Sequence, residues 1–528
     1  MNATVPQETY NIRLCEGTDD CVAHPKLISN LLLERILEML DVSQLIRSYK
    51  NHYKIGFDVY GFFKLLIFGR ILNPGSKWST VKQNTDYAVP ILKGGSQDFN
   101  IYKTLDFIYE HRRAIFNRIN NLMLQNYHRT ANRIYYDVTN FYFETDEPDE
   151  EGLRQNGVSK ENHQSPIVQM GLLMDEPGIP ISMECFPGNT LDHQTLADSF
   201  ANSVDSVNAK NNRFIYVCDK GVGRGEAIVY AISHGIGYLT SRTVRGASKD
   251  EKKWIIDPDG YTVVSSSFKY KTRILKKTVV TPDGVSLEYS EKVLTYWSKK
   301  YYDKEVAERS SFYEFVRDYL KNPASFRLSN AQLPVIKKYL KKSVINKKTG
   351  ELIKISDLST ILDVEKLKLD YELLGYYTLA TSEINMSNRE IIETYGNLVE
   401  IEDQFRVMKS TLETRPVFVR TKEHIIAHLT VCTVALIVIR LIQKQINESH
   451  PELLDNNLLF SNALSADRIQ DALNKWKIEK IGDVFYRFCD TDDPDLALIL
   501  DSFNVKIPKK CFKIGEVKHL KSMIEMST

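Results

Sequence analysis

The chain has little of what would place it in several common classes. Its seven cysteines, at 15, 21, 185, 218, 432, 489 and 511, form no CxxC pair, which leaves no zinc ribbon and reads as a reduced, intracellular protein. No basic segment followed by an apolar one opens the sequence, so no secretory leader is expected. The longest apolar run, residues 425–439, is interrupted by His428 and closed by Arg440. It falls short of the roughly 18 to 20 residues of a membrane span, and a buried helix is expected in its place. Neither sign of charge is in excess: 69 Lys and Arg against 68 Asp and Glu leave a net charge of +1. That balance neither indicates nor excludes nucleic acid, because a footprint on DNA is a local patch.

What is present is an ordinary globular composition, 43% hydrophobic over 528 residues, enough for two to four domains with a large core. Residues 27–72 carry helical periodicity in LISNLLLERILEML and VYGFFKLLIFGRIL; after NPG, Ser76 caps the basic segment SKWSTVKQ. This is either a helix-turn-helix that grips DNA or a plain helical domain. From 131 the pattern changes to strands: RIYYDVTNFYFE, SPIVQMGLLMD, the turn EPG and IPISMECFPGN, three consecutive strands with a hairpin. A helix (LDHQTLADSFANSV), a strand (RFIYVCDKG), a helix (GEAIVYAISHG) and a strand (IGYLTSRT) follow, giving the order βββαβαβ. Residues 248–370 mix β-rich pieces with basic clusters at 269–277, 299–300 and 337–348, the last containing Lys341 and Lys342. Each cluster is a solvated face or part of a DNA path. GYYTLATSE then returns as a strand, and helical character resumes to the end.

The segment YGNLVEIEDQFRVMKSTLETRP, 395–416, carries the chemistry. On one continuous helix Tyr395, Leu398, Glu402, Phe405 and Lys409 share a stripe, whereas Glu400 lies about 160° from Glu402 and is expected to be solvated. A carboxylate on that stripe gains meaning from two aspartates that end strand-like runs upstream, Asp137 in RIYYDVTNFYFE and Asp219 in RFIYVCDKG. Three carboxylates that meet suit Mg²⁺ or Mn²⁺, hard ions that prefer oxygen ligands. Two such ions about 3.5 to 4 Å apart serve an in-line displacement at phosphorus.

On YYDVTNFYF around Asp137, VCDKG around Asp219, and the helix signature read as Tyr395, Leu398, Glu402 and Lys409 followed by RPVF from Arg415, the sequence resembles the DDE transposases of bacterial insertion sequences, the insertion-sequence-four type. Leu398 stands where the signature has Arg. The resemblance covers 131–247 and 371–440. It implies a ribonuclease-H-like α/β core, a mixed five-stranded sheet with helices, interrupted by a β-rich insertion and flanked by helical N- and C-terminal regions. The implied domains are a helical DNA-binding region (1–130), the core in two parts (131–247 and 371–449), the basic insertion (248–370) and a helical C-terminal region (450–528). Asp137, Asp219 and Glu402 become the catalytic metal ligands, with Mg²⁺ as cofactor, two ions, and Mn²⁺ as substitute. Tyr395, Lys409 and Arg415, together with Lys341 and Lys342 of the insertion, become DNA contacts. The implied partners are double-stranded DNA, as element ends and target, and a second copy of the chain on that DNA, with no membrane partner; the implied setting is the cytoplasm of a bacterial cell. The implied reaction is hydrolytic cleavage at the element end and attack of the freed 3′-hydroxyl on target DNA.

Other readings remain open at this stage. A nuclease on the same fold would cut without joining, and a non-catalytic descendant would only bind DNA. The run KGVGRG at 220–225 mimics a dinucleotide fingerprint, with Arg242 as a 2′-phosphate partner, but is spaced GxGxG. His163 and His193 are either contacts to DNA or metal, or satisfied loop histidines. His424 and His428, one helical turn apart, have the spacing of a metal pair.

Overall fold

A computed structural model describes residues 24–94, 98–127, 129, 132–144, 147–160, 164–201, 214–321, 339, 363–455, 461–481, 485–507, 511–513, 515–516, 519, 521 and 524. In chain order the elements are β1 (Lys26–Leu27), α1 (Asn30–Met39), α2 (Val42–His52), α3 (Val59–Leu72), α4 (Lys77–Lys82), α5 (Asn100–Asn126), β2 (Arg133–Tyr142), β3 (Ile167–Met174), β4 (Pro180–Pro187) and α6 (Asp192–Ala201). Then come β5 (Ile215–Cys218), α7 (Glu226–Ser233), β6 (Gly237–Arg242), α8 (Lys249–Ile256), β7 (Thr262–Ser265), β8 (Phe268–Val280), β9 (Ser286–Ser298), α9 (Lys299–Lys321), α10 (Val364–Glu372), β10 (Tyr376–Thr381) and α11 (Asn388–Gly396). The chain continues through α12 (Val399–Lys409), α13 (Lys422–Ser449), α14 (Ala466–Lys475), β11 (Lys477–Ile481), β12 (Phe485–Phe488), α15 (Pro494–Ser502) and β13 (Phe512–Lys513). Two compact units result, Met1–Phe214 with Gly396–Thr528, and Ile215–Tyr395.

The first unit is organised by two helices that are apolar nearly all round. Of α3, only Lys64 is not buried, and the helix starts where the Asp58 carboxylate accepts from the Gly61 N–H at 3.0 Å. Helix α13 runs 28 residues, about 42 Å at 1.5 Å per residue. By length and composition this helix is apolar enough to cross a membrane, which the 425–439 run alone does not suggest, and its apolar stretch is wholly buried inside the protein, in keeping with the buried helix expected there. Thr430 and Thr433 are tolerated there because their hydroxyls donate back to the Ile426 and Leu429 carbonyls at 2.9 Å each. Strands β2, β3 and β4 form an antiparallel meander, with Tyr135 opposite Met174 and Val168 opposite Pro187. Every residue of β3 is buried.

Helices alone are expected after 450, and here the structure corrects the sequence reading. KIEKI and FYRF alternate as strands, and β11 pairs with β1 and β12 while β12 pairs with β13. The N-terminal Lys26–Leu27 segment supplies the edge that these short strands need, a partner some 450 residues away in the chain.

The second unit holds a mixed sheet in the order β5-β6-β10-β9-β8-β7. β5 and β6 are parallel, joined by α7, and the other pairs are antiparallel. Among the described residues of 248–370 the last strand ends at Ser298, where the 23-residue helix α9 begins. The basic run on β8 is partly structural: Lys271 is buried and donates to the Asp257 and Asp259 carbonyls at 2.7 and 3.3 Å. Its ammonium lies over Tyr261 and Trp254, Arg273 stacks 4.0 Å from the Trp254 ring centre, and Lys277 pairs with buried Glu291 at 2.7 Å. Lys341 and Lys342 lie outside the described residues.

Candidate active site

In the first unit Asp137 is the one half-buried residue in the middle of a strand whose other interior positions are buried. A strand alternates its faces, and the neighbours show which face Asp137 shares. Tyr136 points to α6, where its hydroxyl meets Thr195 Oγ1 at 2.8 Å and Ser199 Oγ at 3.0 Å. On the Asp137 face, Phe141 lies under the Lys409 ammonium of α12, 5.8 Å from the ring centre. At the strand end the Arg415 guanidinium sits 5.1 Å over the Tyr142 ring, and Lys160 donates to the Val138 carbonyl. Three cations are thus gathered along the strand that carries the acid. Burial pushes the Lys409 ammonium down to about 8; Lys160 adds to the shift and Asp137 opposes it.

The segment 395–409 is not one helix. α11 ends at Gly396 and α12 starts afresh at Val399, with the Glu400 N–H bonded to the Asn397 carbonyl and Ile401 to Leu398. Tyr395 and Glu402 therefore stand on different helices, and only Glu402, Phe405 and Lys409 keep a common phase. Glu402 is exposed, at the same azimuth as Lys409 two turns on.

The expectation for Glu400 is reversed: it is 5% exposed. The inner face of α12 is polar because Gln404 spans to the β3–β4 turn, donating to the Gly178 carbonyl at 3.0 Å. Arg440 of α13 reaches Gln404 Oε1 at 2.7 Å, Asp403 Oδ2 at 2.7 Å and Gln443 Oε1 at 2.6 Å. Glu400 sits among these groups; burial, with Asp175 adding, pushes its carboxyl up to about 8 against the opposing pull of Arg440.

In the second unit Asp219 directly follows β5, on a turn closed by the Val222 and Gly223 N–H groups donating to its own carbonyl at 3.1 and 2.9 Å. Its Oδ1 accepts from Ser241 Oγ at 2.7 Å and from the Tyr395 hydroxyl at 3.3 Å, and the Tyr377 hydroxyl lies 3.3 Å behind that of Tyr395. Sequence reasoning missed Ser241 and Tyr377. The parallel pairing of Cys218 with Thr240 sets Asp219 beside Ser241, a signal that the two strand-like runs could have supplied. The glycines of the 220–225 run have a packing role: a Cβ on Gly223 would meet Thr240 Oγ1 at 2.2 Å and Cys218 Sγ at 2.8 Å, and Gly225 adopts φ +57° ahead of α7.

The histidine pair is no metal site. His424 bonds to Asp106 at 2.9 Å, whereas buried His428 lies between Lys77 Nζ and the Thr414 carbonyl, 2.9 Å from each. His163 lies outside the described residues, and His193 Nδ1 is buried without a hydrogen-bond partner among the described residues. The loop after α12 is held further by buried Arg70, whose guanidinium donates to the carbonyls of Leu412, Glu413 and Gly75 at 3.3, 2.9 and 2.8 Å.

Asp137 and Glu402 thus belong to one unit and Asp219 to the other. Among the described residues no three His, Cys, Asp or Glu side chains form a metal cluster. The donor chemistry nonetheless fits a hard divalent ion, which needs only one or two carboxylates plus water and substrate phosphate. Glu402 is exposed, and no described group hydrogen-bonds Oδ2 of Asp219.

No protein-family model matches the chain, and no curated protein is similar to it. Among solved structures it is similar to a piggyBac transposase synaptic complex with hairpin DNA, at 8% identity and a TM-score of 0.38, over 97% of this chain and 88% of that one.

Proposed function

We propose that the protein is a DNA transposase of the DDE type, which binds element ends, cleaves DNA and joins the 3′-hydroxyl to a target. The observation that carries this reading is Asp137, a carboxylate interrupting a buried strand, with Lys409, Lys160 and Arg415 gathered along that strand. An acid for a divalent ion beside cations for a phosphodiester is what phosphoryl transfer on DNA requires. The motif order adds to it: an acid within a strand, an acid at a strand tip and an acid on a late helix.

Asp137, Asp219 and Glu402 would hold Mg²⁺ or Mn²⁺, which when bound supplies activation of the attacking oxygen and stabilisation of the leaving one. The chain's own side chains do the rest. Lys409 and Arg415 hold phosphates in place, and the carbonyl contacts of Arg70 fix the loop that carries Arg415. The proposal extends to a pair of chains on the DNA and to a cytoplasmic, bacterial setting.

The test is a cleavage and strand-transfer assay on end DNA with Asp137→Asn, Asp219→Asn and Glu402→Gln. Loss of both activities with retained end binding supports the reading. Cleavage without joining by the wild-type protein would return it to a nuclease, and neither activity would leave a DNA-binding protein.

A further inference from the structure

We propose that Ser241 and Tyr395 are positioning residues that fix one oxygen of the Asp219 carboxylate so that the other is presented to a divalent ion. The inference rests on the proposed role of Asp219 as a metal ligand and goes beyond it by assigning the groups that orient that ligand.

The two carboxylate oxygens of an aspartate are chemically equivalent until the protein distinguishes them. Here two donors, Ser241 Oγ at 2.7 Å and the Tyr395 hydroxyl at 3.3 Å, converge on Oδ1. An ionised carboxylate only accepts, so each hydroxyl points its proton at it. A serine hydroxyl has one proton, and Ser241 Oγ accepts the Lys220 N–H at 3.2 Å, so its own proton is free to go to Asp219. The Tyr395 oxygen has the Tyr377 hydroxyl 3.3 Å away; because Tyr395 gives its one proton to Oδ1, that contact is made with Tyr377 as donor. The Tyr377 ring is braced in turn by Tyr301, stacked at 5.8 Å, and by Tyr296 at 5.7 Å.

Hydrogen bonds to a carboxylate are charge-assisted and short-ranged. Removing a partner behind a metal ligand typically costs about 10- to 100-fold in metal affinity. Aromatic stacking on DNA, the alternative role for Tyr395, needs the ring and not the hydroxyl. The geometry places the hydroxyl, the part that Phe lacks, on the acid.

The experiment uses the full-length protein without DNA and reads Mn²⁺ binding by electron paramagnetic resonance of the free ion. Tyr395→Phe and Ser241→Ala are each expected to weaken binding about tenfold, with Ser241→Thr, which keeps the hydroxyl, close to wild type. Circular dichroism melts confirm that the variants are folded. Wild-type Mn²⁺ binding by both Tyr395→Phe and Ser241→Ala, alongside lost binding in Asp219→Asn, overturns the positioning role and leaves the proposed function standing. Wild-type binding by Asp219→Asn removes the metal role of Asp219, and this inference with it.

Discussion

Lys77 Nζ lies 2.9 Å from His428 Nδ1, both side chains are buried, and among the described residues no carboxylate is paired with either. Two bases share one site with the Arg70 guanidinium beside them, and Cys432 Sγ sits 3.8 Å from the imidazole. Burial, with Arg70 adding, pushes the Lys77 ammonium down to about 7. Burial with Lys77 and Arg70 drives His428 well below its ordinary range.

That pair makes stability depend on pH in a definite direction. The folded chain loses the Lys77 proton at about 7, whereas the unfolded chain keeps it to about 10.4. Between these values the unfolded state binds more protons, so stability rises with pH across the window and is least below it. His428 acts in the same sense below about 6.5. Lys77→Met removes the main titration: its melting temperature should exceed that of the wild type at about pH 6 and converge on it towards about pH 9. Parallel profiles for the two proteins would mean that Lys77 is ionised in the folded state.

The two glutamates two residues apart on α12 should behave in opposite ways. Glu402 is exposed, so Glu402→Gln should change stability by less than about half a kcal/mol while abolishing strand transfer. Glu400 is buried with its carboxyl raised to about 8 and is largely neutral at pH 7, so the amide of Glu400→Gln reproduces its shape and should leave activity near normal. Glu400→Lys buries a fixed cation close to Arg440 and should unfold the first unit in a thermal melt. A fully stable Glu400→Lys protein would place that side chain in solvent.

Much of this arrangement was legible in the sequence. Alternation and β-branched runs marked β2 to β6, and the polar interruptions of the 425–439 run marked a core helix. The phase of α12 was not legible, because Glu400 and Gln404 are buried by partners far away in sequence, the Gly178 carbonyl and Arg440. The break between α11 and α12 had a signal, Gly396 followed by Asn397, the residue types that end helices. It was outweighed by a periodicity that continues across it. The inward turn of Lys271 could not be read from its neighbours, since an alternating strand gives two faces and not which one meets α8.

Arg70 should be a stability residue before it is anything else. Its guanidinium supplies the donors for the carbonyls of Leu412, Glu413 and Gly75, and an unsatisfied buried acceptor costs about 1 to 3 kcal/mol. Arg70→Met is expected to lose about 2 to 4 kcal/mol in urea unfolding. Protease cleavage in the loop after α12 should quicken, because the backbone there loses its anchor. An unchanged denaturation midpoint would show that the three carbonyls find other donors.

Cations that hold phosphates and cations that hold the fold can be separated by salt. Each phosphate contact on duplex DNA contributes about 0.9 to the slope of log affinity against log salt. Lys409 and Arg415 flank the strand of Asp137, so Lys409→Gln and Arg415→Gln should each lower the slope by about that amount and weaken binding to end and unrelated DNA alike. The same outcome is expected for Lys341→Gln and Lys342→Gln if the insertion lines the DNA path. Lys271 is the control: its ammonium is committed to the Asp257 and Asp259 carbonyls and to the Trp254 and Tyr261 rings. Lys271→Met should cost stability and leave the salt slope untouched. The measurement is fluorescence anisotropy of labelled end DNA over a salt series at matched folded fraction. A slope that falls for Lys271→Met and holds for Lys409→Gln would reverse the assignment and put the DNA on the insertion face of β8.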